Sequence, residues 1–232
     1  MTNDTQGETS TRLERLLGEA EQRLEELKGI LPSEVSREKV SMSSKAALKA
    51  YAIHAGLLHR TVNLAEAAIG LYRRLENLPA HVLTRSVLET SALLYYFWCT
   101  LEKAVDSKEA KEADDILMRM MLGTRNTEEE MKEVNILTAV NTLDNDARGV
   151  RAIYDNLCEV AHPSWMGTVG HYGGARESSC TLYLDKEHEV VPPEAALAVV
   201  SELLIGLHES NDAVQDVLLH FETLHEQEYA GD

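Results

Sequence analysis

Residues 51–72 decide the fold: Tyr51-Ala52-Ile53-His54-Ala55-Gly56-Leu57-Leu58-His59-Arg60-Thr61-Val62-Asn63-Leu64-Ala65-Glu66-Ala67-Ala68-Ile69-Gly70-Leu71-Tyr72. Tyr51, Ala55, Leu58, Val62, Ala65, Ile69 and Tyr72 follow one another in steps of four and three. That spacing is a heptad seam on one face of a helix. It predicts one helix from about Ser43 to Glu76, roughly 50 Å long at the rise of an α-helix.

The same periodicity continues downstream. Asn77-Leu78-Pro79 restarts the chain with a first-turn proline, and a helix is expected from Pro79 to Val105. It is apolar on nearly every side after Val87, as a central, buried helix is. Amphipathic helices are expected over Ser107–Leu122, with Ala113, Leu117, Met120 and Met121 inward, and over Thr127–Leu143, with Met131, Val134, Leu137 and Val140 inward. Thr127 and Glu130 have capping-box spacing. A further helix, Asp144–Ala161, places Val150, Ile153, Leu157 and Val160 in the core and is stopped by Pro163, which pushes its predecessor out of the α region. Residues 163–192 are loop-like, with Gly167, Gly170, Gly173 and Gly174. Cys180–Leu184 and Glu189–Val191 have the composition of a small hairpin. The last helix, Pro193–His225, carries a second seam: Leu197, Val200, Leu204, Leu207, Val214, Leu218 and Phe221, with Asn211 as its one polar, register-setting position.

Upstream, residues 1–9 are polar and without periodicity, the pattern of a disordered start. Ser10–Lys28 reads as a helix with Leu13, Leu16, Leu17, Ala20, Leu24 and Leu27 in one stripe, ended by Gly29 and Pro32. Residues 30–42 read as a linker. The expectation is therefore an all-α protein of about seven helices: two long heptad-patterned ones, a loop or hairpin insertion near 165–192, a bundle domain over 43–226 and a tail over 227–232.

Composition bounds the function. The 232 residues are 44% hydrophobic, enough for a core, and carry a net charge of −17. That charge disfavours nucleic acid, whose binding needs Lys and Arg against phosphates. Cys99, Cys158 and Cys180 form no CxxC pair, and their odd number fits reduced thiols in a cytoplasm. The opening residues have no apolar signal core, and the most apolar run, Ser91–Leu101, is far short of a membrane span of ~20 residues.

Two places carry unusual chemistry. His162 closes a helix at Cys158-Glu159-Val160-Ala161-His162-Pro163-Ser164-Trp165. A histidine there gains from the helix dipole when charged, and Cys158 and Glu159 lie one turn away. Arg151 and Asp155 fall on nearly the same face. His162 is either a capping residue or part of a site shaped by Ser164, Trp165 and the glycines that follow. The second place is Arg85 and Glu89, one turn apart on the most apolar helix, where a charge is costly unless paired. They form a structural ion pair or face an anionic ligand. No metal is expected: His-x-x-x-His is absent, and of the two Glu-x-x-His spacings, Glu222 with His225 reads as a solvated pair near the C-terminus. No cofactor is implied. The glycines after Trp165 lack a phosphate-binding Gly-Lys-Ser/Thr, no Gly-x-Ser-x-Gly elbow occurs, and Cys158 sits beside core positions, where thiols are inert.

Arg85-Ser86-Val87-Leu88-Glu89 resembles the Arg-x-x-Leu-Glu central helix of a large bacterial all-helical family of unknown function. Tyr154-Asp155-Asn156-Leu157-Cys158-Glu159-Val160-Ala161-His162-Pro163 is similar to that family's second motif, in the same order along the chain. The family has been likened to HEPN domains, helical ribonucleases of prokaryotic defence systems. The resemblance implies a site of Arg85, Glu89, Tyr154 and His162, with His162 as general acid/base and Arg85 stabilising charge at phosphorus. The HEPN motif has arginine a few residues before its histidine, whereas Arg151 stands eleven before His162. The arginine would then have to be Arg85. Two functions follow as expectations: an RNA-acting or defence-type effector, or a non-catalytic helical module that forms a homodimer or binds a helical partner.

Overall fold

The computed structural model describes residues 3–38, 40–41, 44–124, 132–176, 181–184 and 191–229. Among the described residues the chain is all-α apart from one pair of antiparallel strands. Among the described residues the elements are α1 (Asn3–Gly29), α2 (Lys45–Arg73), α3 (Asn77–Ser107), α4 (Lys111–Leu122), α5 (Ile136–Asp146), α6 (Val150–Ala161), α7 (Val169–Tyr172), β1 (Gly173–Arg176), β2 (Thr181–Leu184), α8 (Pro193–Glu209) and α9 (Asn211–Tyr229). No described helix is long and apolar enough to cross a membrane.

The chain divides into two compact units whose limits fall inside α2, α3 and α8, at the end of α1 and between α5 and α6. Unit 1 comprises residues 1–29, 62–88 and 149–206. Its core joins the α1 stripe (Leu16, Leu17, Ala20, Leu24, Leu27) to Val62, Ala65, Ile69 and Tyr72 of α2, Val87 and Leu88 of α3, Leu157 and Val160 of α6, and Leu197, Val200 and Leu204 of α8, all buried. The first helix is thus part of the bundle. Two ion pairs tie its polar edge to α2: Lys28–Glu66 at 2.8 Å and Arg73–Glu21 at 2.6 Å.

Unit 2 comprises residues 30–61, 89–148 and 207–232. Its core packs Ala46, Ala50 and Ile53 of α2, Phe97, Leu101 and Ala104 of α3, Ala113 and Leu117 of α4, and Val214, Leu218 and Phe221 of α9. Ser44 caps α2: its hydroxyl accepts from the Ala47 N–H at 3.0 Å. The seam residues Ala55, Leu58, Val62, Ala65, Ile69 and Tyr72 are all buried within the single chain.

Several boundaries depart from the periodicity, each for a local reason. α1 begins at Asn3, so the polar residues before Ser10 are helical; hydrophobic periodicity is blind to a helix end that is polar all round. α5 begins at Ile136, not Thr127, because Asn135 caps it, its side chain accepting from the Leu137 N–H at 2.9 Å. Thr127, Glu130 and Met131 lie outside the described residues. Leu137 is exposed, and so is Met121 of α4. Ala147–Gly149 separate α5 from α6, with Gly149 at φ +103°, a left-handed conformation that favours glycine. The final seam is broken at Ser210 into α8 and α9. Ser, Asn and Asp in a row favour caps over helix interiors, and Asn211 opens α9 instead of interrupting a continuous seam. β2 pairs antiparallel with β1, Gly173 opposite Leu184 and Arg176 opposite Thr181. The upstream glycines, expected as loop, therefore supply a partner strand, since backbone pairing needs no side chain; Glu189 and Val190, expected in the second strand, lie outside the described residues.

Candidate functional site

α6 sets the site. Its buried face is Tyr154, Leu157 and Val160, one helical turn apart, and its other face carries Arg151, which donates to Asp155 at 2.9 Å. His162 is the C-cap: its backbone N–H donates to the Cys158 carbonyl at 2.9 Å and its backbone is extended. The chain then folds back across the helix end. A Cβ at the buried Gly167 would collide with the His162 and Val160 carbonyl oxygens, so only glycine lets the backbone cross there. The Ser164 hydroxyl donates to the Glu159 carbonyl at 3.3 Å, closing one of the orphan carbonyls of the helix terminus. The Gly170 N–H donates to the Trp165 carbonyl at 2.6 Å, and a Cβ on Gly170 would lie 2.9 Å from the indole nitrogen. Trp165 is therefore seated on α7 yet 65% exposed.

Of the sequence-predicted residues, the structure brings Arg85 and Tyr154 together. The Arg85 guanidinium stands 5.6 Å from the centre of the Tyr154 ring, within cation–π range. Arg85 comes from the first motif and Tyr154 from the second. Glu89, half-buried, lies one turn further along α3. The His162 ring is exposed and makes no side-chain hydrogen bond or ion pair among the described residues, with Arg85, Glu89 or any other group. Cys158 is half-buried and unpaired. No group of three or more potential metal ligands occurs among the described residues.

Glu222 and His225 are not the solvated pair their position suggests. Both are half-buried in unit 2, where the His225 Nδ1 meets the Ser44 hydroxyl at 3.1 Å. Burial raises the pKa of Glu222, with Glu226 adding to it and a hydrogen bond from Tyr51 opposing it. Unit 2 also holds a cleft of about 370 Å³ lined by Ile53, Leu57, Arg119, Met120 and Val134 among others. The Arg119 guanidinium donates to the Lys132 carbonyl at 2.9 Å. None of the expected site residues lines the cleft.

A second polar centre, buried in unit 1, escaped the sequence reasoning. His81 of α3 is fully buried. Its Nε2 donates to the Val191 carbonyl at 3.0 Å, and its Nδ1 meets the Tyr72 hydroxyl at 2.8 Å. The Tyr72 hydroxyl also meets the Thr84 hydroxyl at 2.8 Å, and Thr84 reaches the Ala80 carbonyl at 2.9 Å. Burial pushes the His81 imidazole down to about 4, the Val191 carbonyl opposes that shift, and nearby His171 of α7 adds to it. The signal was present: His81 and Thr84 stand in phase with Ala80, Val87 and Leu88, so the inward stripe of that helix holds polar groups that must pair with one another.

The chain matches no family model, no curated protein and no solved structure.

Proposed function

We propose that the chain is a non-catalytic helical interaction module whose contact surface is the turn-and-hairpin segment after α6. The exposure of Trp165 carries this proposal: in the same short stretch Met166, Tyr172 and Leu184 are exposed too, while the α2 seam is occupied by the chain's own core. Rigid aromatic side chains at a surface are the usual anchors of protein contacts. Leu184 pairs with Gly173, next to Tyr172, so these two side chains belong to one end of the hairpin. The bare His162 ring also supports the module, because a general acid/base works from a position fixed by hydrogen bonds. The charge of −17 favours partners with basic or neutral surfaces over RNA. A cytoplasmic setting is part of the proposal, supported by the unpaired Cys99 and Cys158.

A second function, an RNA-acting effector of the HEPN kind, is favoured by the Arg85–Tyr154 contact, which joins the two motifs at one place. In it Arg85 would face phosphate and His162 would move the proton.

Two measurements separate them. Labelled RNA is incubated with the wild-type chain and with His162→Ala. The module is expected to leave RNA intact in both. Cleavage by the wild type that His162→Ala abolishes overturns it in favour of the effector. Sedimentation and partner crosslinking of the wild type against a Trp165→Asp, Leu184→Asp variant are expected to show association lost in the variant. Unchanged association would move the contact surface elsewhere.

A further inference from the structure

His81 and His171 are two buried imidazoles inside one unit, and the second lowers the proton affinity of the first. His171 sits on α7, 7% exposed, with its Nδ1 buried and making no hydrogen bond among the described residues. Its ring packs edge-on against Tyr172 at 4.9 Å. The groups acting on the His81 ring are Tyr72 from α2, Thr84 from α3, the Val191 carbonyl leading into α8, and His171 from α7.

The two rings differ in what a proton would cost. A carbonyl only accepts, so the His81 Nε2 carries hydrogen. With a neutral ring, the Tyr72 hydroxyl donates to Nδ1 and the Thr84 hydroxyl donates to Tyr72. With a charged ring the chain reverses: Nδ1–H donates to Tyr72, Tyr72 to Thr84, and Thr84 to the Ala80 carbonyl. Rotating two hydroxyls keeps every donor satisfied. His81 can thus hold a proton without losing a bond, and the cost is burial of the charge and repulsion from His171. His171 has no such arrangement: a proton on Nδ1 would be a buried cationic donor with no acceptor among the described residues. α7 is four residues long, whereas α3 runs through the core, so the ring that leaves is the one on α7.

We propose that His81 and His171 form an acid-sensitive latch: protonation drives His171 out of the core and frees α7 and the segment Pro163–Arg176, while α3, α6 and α8 remain folded. Burial lowers the affinity of both rings for protons in the closed state. Opening therefore takes up protons, and it is favoured as pH falls below the ordinary histidine value of 6.5. Trp165, Met166 and Tyr172 move with the segment. The latch stands whether or not these residues contact a partner.

Hydrogen exchange of the full chain, corrected for intrinsic pH dependence, tests this at about pH 7 and about pH 5. Protection of peptides within 163–176 is expected to fall on the order of tenfold, with peptides of α8 unchanged. His171→Phe keeps a ring in the core and removes the titration, and it is expected to abolish the fall. Equal protection of the wild-type segment at both pH values overturns the latch, and so does a His171→Phe chain that loosens as the wild type does. Should that variant fold poorly, the wild-type His171 ring resonance decides: its titration midpoint is expected to coincide with the loss of protection. Titration while the segment stays protected overturns the latch.

Discussion

Two histidine neighbourhoods in the same unit behave in opposite ways. His162 lies at a helix end, its ring exposed and, among the described residues, bound to the structure through its backbone alone. His81 lies in the core with both ring nitrogens engaged and a hydroxyl chain behind it. At the first, backbone crossing fixes the geometry and the side chain is free; at the second, the side chain is the connection between α2, α3 and the segment entering α8. Sequence oddity marks the helix end, while structural dependence concentrates on the buried ring.

The largest expected effect is on stability against pH. His81 and His54 both have folded pKa values near 4 because burial opposes their charged form, the latter stacked 6.1 Å from Phe97 in unit 2. A histidine whose folded pKa lies below its unfolded value of 6.5 favours the folded state above 6.5, and that contribution disappears as pH falls through about 4. Each ring is expected to cost on the order of 3 kcal/mol across that window. Urea unfolding followed from neutral to acid pH should show the loss, and His54→Phe should remove its own share. A slope that His54→Phe leaves unchanged would break the contrast between buried and exposed rings.

A middle effect is expected from Gly167→Ala. Its methyl group would meet the His162 and Val160 carbonyls, so the fold-back must shift, at about 1–3 kcal/mol in a urea titration. The pH slope should stay intact, because the buried ring is untouched. The smallest effect is His162→Ala itself, expected within about 0.5 kcal/mol of the wild type at neutral pH. A loss several times larger would mean that the ring does more for the fold than its exposure allows.

What the sequence disclosed follows from what periodicity can carry. The α2 seam and the α1 stripe became core nearly residue for residue, because burial of a helix face repeats every three to four positions; the apolar run of α3 did so on one side, with Leu93, Tyr95, Tyr96 and Trp98 half-buried. The breaks at Asn135, Gly149 and Ser210 were harder to see, since each depends on one capping or left-handed residue inside an otherwise continuous pattern. β1 was hidden because Gly173 and Gly174 look like loop whenever their partner strand is unknown. At the candidate site, the closeness of Arg85 to Tyr154 was anticipated by the paired motifs. The isolation of the His162 ring was not, since one-turn spacing puts Cys158 and Glu159 near it without saying where its ring points. The His81 chain needed three separate segments to meet, and no local window contains them.

That unit 1 is assembled from residues 1–29, 62–88 and 149–206 has a consequence for the order of events during synthesis. The leucine face of α1 emerges first, and the α8 part of its core is completed only when residue 206 has been made. Until then Leu16, Leu17, Leu24 and Leu27 belong to a core that lacks its α8 part on the nascent chain. Such distant closure slows folding, and it makes the growing polypeptide, more than the finished one, a client for chaperones.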